Sequence, residues 1–460
     1  MPKIILLDPL GRGASIFGHC HYLRDWSGHY NPGYVPLPPL DLMYAAAYLI
    51  SNGCEAKIIE GSIKHLTHKK IIEIIEKEHP GYVFLPSTSL SLDDDKDLSL
   101  LIRKNIPYAK IIFAGPLVTH QPSLVLSDNS ADFVVLGEYE SPLLNITKGD
   151  YSENIAYLLG NKVICGRRSL VDLDKLPLPA RQLIDNQAYR FVIFNKRNPV
   201  TTMTISRGCP YGKCEFCNSS LFALGKIRYR NIESIIEELN DIVFKYRIGE
   251  IFFKDQAFTG NRELVWKMCE YILSNNIDIS WRVSTRVDLV DKELLALMHK
   301  AGCHQISFGF ESYSQDALDI LKKGITIGQS KQAARLAKET GMEVMGFFIF
   351  GSLRGIKVSL AELFKFISIL DVDYAQFNRL EILPGAPFYG KYVSGRAMLF
   401  AEESAKRDAK YAYLKFYFRP GYLFKQLAKI KSWDDVILLT RIAFDAFLFL
   451  ILPLKGSHKR

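Results

Sequence analysis

The stretch TISRGCPYGKCEFC, residues 204–217, decides the reading of this chain. It closes an apolar run expected to be a strand (TTMTISRG, 201–208) and puts Cys209, Cys214 and Cys217 on one loop as C-x4-C-x2-C. Eight cysteines in 460 residues are too few for a disulfide scaffold, so three of them within nine residues point to a metal. Three thiolates can hold three irons of a [4Fe-4S] cluster and leave the fourth iron open to an outside ligand. A structural zinc site is the competing reading. It wants four ligands, usually in paired knuckles; no second C-x2-C exists, and a distant His or Cys would have to complete it. A ferredoxin-like carrier wants a fourth local Cys, which the loop lacks.

Downstream of the loop, strands are predicted at GEIFFKD (249–255), ISWRVST (279–285), HQISFGFE (304–311), EVMGFFIFG (343–351) and DYAQFNRLEI (373–382). Helical patterns separate them, among them NIESIIEELNDIVFKY, KELLALMHKAG and SKQAARLAKETG. With 201–208 these make six βα units, too few for a closed eight-stranded barrel. A partial (β/α)6 barrel over 196–390 is expected, with its chemistry at the strand carboxyl ends.

Upstream, residues 1–150 alternate strands at 3–9, 55–61, 81–87, 109–115 and 131–137 with helical segments, which predicts a doubly wound parallel sheet of Rossmann-like type. Its ligand loops are then DPLGRG, PSTS and GPLVTHQP. DPLGRG lacks G-x-G-x-x-G spacing and argues only weakly for a dinucleotide. The Pro-punctuated 151–195 reads as a linker and 391–460 as a helical, basic and apolar segment.

The cluster loop resembles that of the radical SAM superfamily, whose usual spacing is C-x3-C-x2-C with an aromatic before the last Cys. Phe216 is that aromatic, and Gly212 is suited to absorb the extra residue. IFFKDQAFTGN, AGCHQISFGFES, GFFIFGSLRG and LPGAPFY resemble the family's second, fourth, fifth and sixth strand ends, in order. The resemblance implies that Cys209, Cys214 and Cys217 bind the cluster and that S-adenosylmethionine (SAM) lies beside Phe216. Asp255 would face the methionine amine, Arg286 its carboxylate and Glu311 the ribose, with the backbone from Phe348 to Gly351 along adenine. As residue types alone, these read equally as a turn, a surface ion and a helix cap. The fifth-strand turn departs from the family pattern, so no acidic contact is carried over there.

Residues 1–150 resemble the cobalamin-binding domain of one radical SAM branch, through PLPPLDLMYAAAYL, PSTS, GPLVTHQP and GEYESPL. The D-x-H-x-x-G motif is absent, so cobalamin would bind without a protein His ligand; His120 reads as a polar loop residue, with a cobalt ligand as the alternative. The implied activity is cobalamin-dependent methyl transfer to an unactivated carbon of a small-molecule or lipid-like substrate, served by an external one-electron donor. The alternatives are a radical SAM cyclase, coupling or rearrangement enzyme with a vestigial cobalamin domain, and a zinc-stabilised binding protein.

Composition is ordinary globular: 48% hydrophobic, 23% charged and a net charge of +9. Residues 401–460 carry 12 Lys and Arg against 6 Asp and Glu. VILLTRIAFDAFLFLILPL (436–454) is interrupted by Arg441 and Asp445, a poor spanning helix. Residues 415–460 therefore read either as a peripheral contact with an anionic membrane or as a helix capping the barrel's open side. No nucleic-acid partner is expected. The N-terminus, MPKIILLDPLGRG, reads as the first buried strand of a cytoplasmic protein. Cys20, Cys54, Cys165, Cys269 and Cys303 read as small buried residues.

Overall fold

The computed structural model describes residues 1–8, 37–89, 91–190, 195–350, 359–380, 385–392 and 403–427, with single positions up to 440. The N-terminal run KIILLD forms β1 (Lys3–Asp8), buried from Ile4 onward, as an unbroken apolar strand must be when helices cover both faces of its sheet. It sits between β2 (Glu55–Glu60) and β3 (Tyr82–Pro86); β4 (Lys110–Ala114) and β5 (Phe133–Val135) continue the sheet in parallel. Helices Leu40–Ser51 and Glu140–Lys148 bury Met43, Leu49 and Leu143 on one face. Helices His68–Glu78 and Leu92–Asn105 bury Ile71, Ile75, Leu98 and Ile102 on the other.

The sheet does not stop at residue 150. The hairpin β6 (Ile155–Leu159) and β7 (Lys162–Cys165) adds two antiparallel strands at its edge, inside the segment expected to be linker. Cys165 is exposed on that edge, against the expectation that it is buried, because a terminal strand has no neighbour to cover it. Beyond it, Ala180, Ile184 and Tyr189 pack on the first sheet's core together with Val200 of the second sheet, so the two sheets share apolar packing.

The second sheet is all parallel and open, in the order β15-β14-β13-β12-β11-β8. Its strands are β8 (Val200–Met203), β11 (Glu250–Phe253), β12 (Ser280–Thr285), β13 (Cys303–Glu311), β14 (Glu343–Phe350) and β15 (Tyr374–Arg379). Six parallel strands without closure are the expected partial barrel. Between β8 and β11, the short strands β9 (Ser206–Arg207) and β10 (Arg228–Tyr229) pair antiparallel and bracket the cysteine loop.

An open barrel leaves an edge at β15. Helix Glu403–Tyr417 lies along it and packs Ala409, Ala412 and Phe416 into the barrel core. Its Tyr413 hydroxyl accepts from Phe377 N–H at 3.1 Å, and Tyr417 accepts from Ala375 N–H at 3.1 Å and donates to Ala375 C=O at 2.7 Å. The edge backbone is thus satisfied by side chains rather than left as a template for another strand. Gly351 and most of 436–454 lie outside the described residues.

Candidate active site at the seam of two sheets

The cysteine loop is held at several points along its length. Gly212 takes φ +59°, the left-handed turn expected to absorb the extra residue of C-x4-C. Tyr211 donates its hydroxyl to Lys322 C=O, Glu215 N–H donates to Leu321 C=O at 3.0 Å, and Glu215 C=O accepts from Phe388 N–H. The Lys322 ammonium sits 2.6 Å from the Glu215 carboxylate. Burial pushes the Cys214 thiol up to about 12 and raises that of Cys217. Among the described residues no three His, Cys, Asp or Glu side chains converge on a single ion. Three thiols spread along one anchored loop suit a cluster, in which each thiolate takes its own iron, better than one zinc ion with Zn–S distances of about 2.3 Å.

The other expected site residues surround this loop, with partners that sequence did not reveal. Asp255, at the end of β11, is buried; its carboxylate accepts from Ser206 Oγ at 2.6 Å and from Ile205 N–H at 3.1 Å. Burial nevertheless pushes it up to about 6. Arg286 donates to both oxygens of Asp288 at 2.9 Å and to Lys323 C=O, with its guanidinium 4.1 Å from the centre of the Tyr211 ring. It is buried rather than a solvated surface ion. Glu311, at the end of β13, takes φ +62° and pairs with the Lys323 ammonium at 2.7 Å. Lys323 also lies 5.9 Å from the Phe216 ring centre. Burial works against its charge, but Glu311 and Cys214 outweigh burial and hold its pKa above the ordinary value. Sequence reading missed Lys323, because LKKGIT looks like two solvated lysines; the glycine directly after it was the one available signal.

Phe216 packs with Leu321, Leu380 and Phe388. Phe348 is fully buried between Phe310 and Phe377, both 5.9 Å away, so its side chain belongs to the core and only its backbone can line a site.

Between the two sheets lies a cleft with about 1010 Å³ of empty volume, open solvent at its mouth included. One wall is Ser87, Gly115 and Glu138, from the loops after β3, β4 and β5; the other is Ser206, Asn218 and Gln256, from the cluster loop and the turn after β11. Carboxyl ends of parallel strands are where such sheets bind ligands, and here two sets face each other. A Cβ on Gly115 would stand 1.9 Å from Ser87 C=O, so only glycine lets these loops approach. Asn218 Nδ2, Gln256 Oε1 and Glu140 Oε2 are buried polar atoms without a hydrogen-bond partner in the protein, all on residues of this cleft. A donor and two acceptors in a glycine-lined cleft fit a large ligand edged with amides, as cobalamin is. His120 is exposed, its ring edge-on to Tyr389 at 4.9 Å; it does not line the cleft, so the polar-residue reading stands.

A Rossmann-like domain facing a partial barrel across a cleft, with a three-cysteine loop on the barrel wall, defines a two-module cofactor enzyme. Residues 33–147 match the B12 binding domain family and residues 203–366 the radical SAM superfamily. An uncharacterized methyltransferase of Pyrococcus horikoshii is 30% identical over 418 residues, covering 85% of this chain and 90% of that protein. An anaerobic magnesium-protoporphyrin IX monomethyl ester cyclase of Cereibacter sphaeroides is 25% identical over 370 residues, 76% of this chain and 60% of its own. Among solved structures, the cobalamin-dependent SAM radical enzyme OxsB with aqua-cobalamin bound superposes with TM-score 0.73 at 17% identity, over 100% of this chain and 74% of its own. TsrM from Kitasatospora setae, with cobalamin and a [4Fe-4S] cluster, gives 0.67 at 15%, over 86% and 75%. The chain belongs to the radical SAM superfamily, in the branch with an N-terminal B12-binding domain. It is an enzyme whose cofactors are the [4Fe-4S] cluster, SAM and cobalamin of that branch.

Proposed function

We propose that the chain transfers a methyl group to an unactivated carbon of a small, partly apolar substrate held in the cleft between the two sheets. The observation that carries this reading is the cleft itself, since one space is lined both by the loops of the B12-binding sheet and by the cluster loop. When bound, the cluster and SAM supply a carbon-centred radical and cobalamin supplies the methyl group. Cys209, Cys214 and Cys217 hold the cluster. Lys323 and Arg286 offer cationic groups for a carboxylate, Asp255 an acceptor for an amine, and Glu311 an acceptor for hydroxyls. The buried walls exclude water from a radical that would otherwise attack it.

A lipid-like substrate and a peripheral membrane contact belong to the same reading. Phe418, Phe424 and Trp433 are exposed in the C-terminal segment, Phe424 at 73% and Trp433 at 82%, in a stretch rich in Lys and Arg. Among the described residues no helix is long and apolar enough to cross a membrane. Aromatic side chains among basic ones suit an anionic interface. Flotation with anionic vesicles, weakened by salt and lost on truncation at Ser432, is the expected result; absence of flotation sinks this part.

The deciding experiment is anaerobic turnover with SAM, hydroxocobalamin and a low-potential reductant, using extracts of the source cell as substrate. Methyl transfer releases S-adenosylhomocysteine and 5′-deoxyadenosine together. Deoxyadenosine alone would instead favour cyclisation or rearrangement, the activity class of the cyclase relatives.

A further inference from the structure

The cysteine loop is tied at its base to the B12-binding sheet by four charges that the proposed chemistry does not use. Arg207 and Arg228 face each other across the β9–β10 pair, one on each side of the loop. Arg228 forks onto Glu138, with its two terminal nitrogens 3.0 Å and 2.5 Å from the two carboxylate oxygens, and also donates to Val171 C=O. Arg207 reaches Glu138 at 3.4 Å and Glu140 at 2.5 Å while its guanidinium covers the Tyr44 ring at 5.3 Å. Glu138 and Glu140 lie directly after β5, in the loop that lines the cleft. Glu140 is 1% exposed and the other three side chains are between 10% and 18% exposed.

Two guanidiniums and two carboxylates balance in a mostly dry seam, so removing one strands the others without water. Forked geometry fixes direction as well as distance, which a single ammonium cannot do. We propose that Arg207 and Arg228 are positioning residues that, by gripping Glu138 and Glu140, set the spacing between the cluster loop and the B12-binding cleft. This rests on the proposed function, in which radical and methyl must reach the same substrate carbon. Misplacement of about 1 Å in such an arrangement costs on the order of a hundredfold in rate.

The test uses the full chain, with Cys20→Ser, reconstituted with iron and sulfide, and a nitroxide on exposed Cys165 in the first sheet. Pulsed electron paramagnetic resonance between the nitroxide and the reduced cluster reads the spacing directly and needs no cobalamin. Arg207→Lys is expected to keep its iron and its unfolding midpoint within a few degrees, yet to show a roughly tenfold rise in the fraction of molecules off the wild-type distance. With hydroxocobalamin, SAM and extract, the same variant should release more 5′-deoxyadenosine per S-adenosylhomocysteine than wild type. Glu138→Gln, which keeps shape and loses charge, reads the same quantities where Arg207→Lys fails to fold. An unchanged distance distribution in the folded variants overturns the clamp. A wild-type protein that shows the cluster spin but binds no cobalamin overturns the proposed function while the spacing measurement still decides the clamp.

Discussion

The Lys323 ammonium and the Glu311 carboxylate meet at 2.7 Å beside the cysteine loop, both more than nine-tenths buried. A Cβ on Gly309 would lie 2.6 Å from Glu311 and 2.7 Å from Lys323, so the strand is bare where the pair crosses it. Such a pair is costly to bury and costlier to break. Lys323→Met should lower stability by about 3 to 5 kcal/mol, because Glu311 is left buried and uncompensated. Adding Glu311→Gln should recover most of that loss but not SAM binding. Thermal unfolding with equilibrium dialysis of SAM checks both; full SAM affinity in the double variant would remove the pair from the site.

Asp255 gives the site a pH dependence. With its carboxyl pushed up to about 6, the anion that would hold an amine dominates only above that pH. SAM affinity should therefore be full at pH 7.5 and fall as pH drops through about 6, whereas Asp255→Asn should be weaker but flat. The sign for folding is opposite. The fold prefers the neutral carboxyl, so this group's contribution to stability is complete below the ordinary 3.8 and lost as pH rises through about 6. SAM titrations from pH 5 to 8 that show no step in the wild type would count against Asp255 as the amine partner.

What sequence could and could not reveal divides along physical lines. The strands of both parallel sheets were legible, since a strand buried on both faces must be an apolar run, as β1 and β13 are. The hairpin Ile155–Cys165 was not: it is an edge, half exposed, and its residues need no pattern. The cysteines could be read because thiolate spacing is local. The settings of Arg286 and Lys323 could not, because burial is produced by other parts of the chain. The clamp was invisible for the same reason, its carboxylates lying 67 to 90 residues before its guanidiniums.

The covering of the barrel edge predicts a stability effect without a functional one. Tyr417→Phe removes the hydroxyl that both accepts from Ala375 N–H and donates to its C=O, leaving two backbone groups at a buried edge. A loss of about 1 to 3 kcal/mol is expected. Tyr413→Phe strands only Phe377 N–H and should cost less. The two rings stack 6.1 Å apart, so the double variant should not be additive. Denaturant unfolding measures all three. Iron content should be the same in each.

Cys214 and Cys269 make a paired test of the metal assignment. Both thiols are raised by burial, but only Cys214 lies on the anchored loop, while Cys269 sits in the core beneath helix Arg262–Ser274. Cys214→Ala should lose the brown colour and all SAM cleavage, since two thiolates cannot hold a site-differentiated cluster. Cys269→Ala should keep its iron and lose only about 1 kcal/mol of packing. About four irons per chain and continuing 5′-deoxyadenosine release in the Cys214 variant would relocate the cluster.

Gly115 offers a probe of the cleft that leaves the cluster loop alone. Its φ of +126° and the 1.9 Å approach of a Cβ to Ser87 C=O mean that Gly115→Ala must push the loop after β4 away from the loop after β3. Ser87 cannot easily yield, because its hydroxyl is held by Asp95 at 2.7 Å and its N–H by Ala114 C=O. The displacement therefore falls on the cleft wall. Hydroxocobalamin retention should weaken by roughly tenfold or more, equivalent to about 1.4 kcal/mol of binding, while iron content holds, since the cysteines sit on the other sheet. Gel filtration of anaerobically loaded protein, with cobalt and iron measured in the same fractions, separates these effects. If cobalt falls without iron, the wall formed by Ser87 and Gly115 bounds the cobalamin site. Wild-type retention of cobalt in Gly115→Ala would place the corrin elsewhere than against these loops.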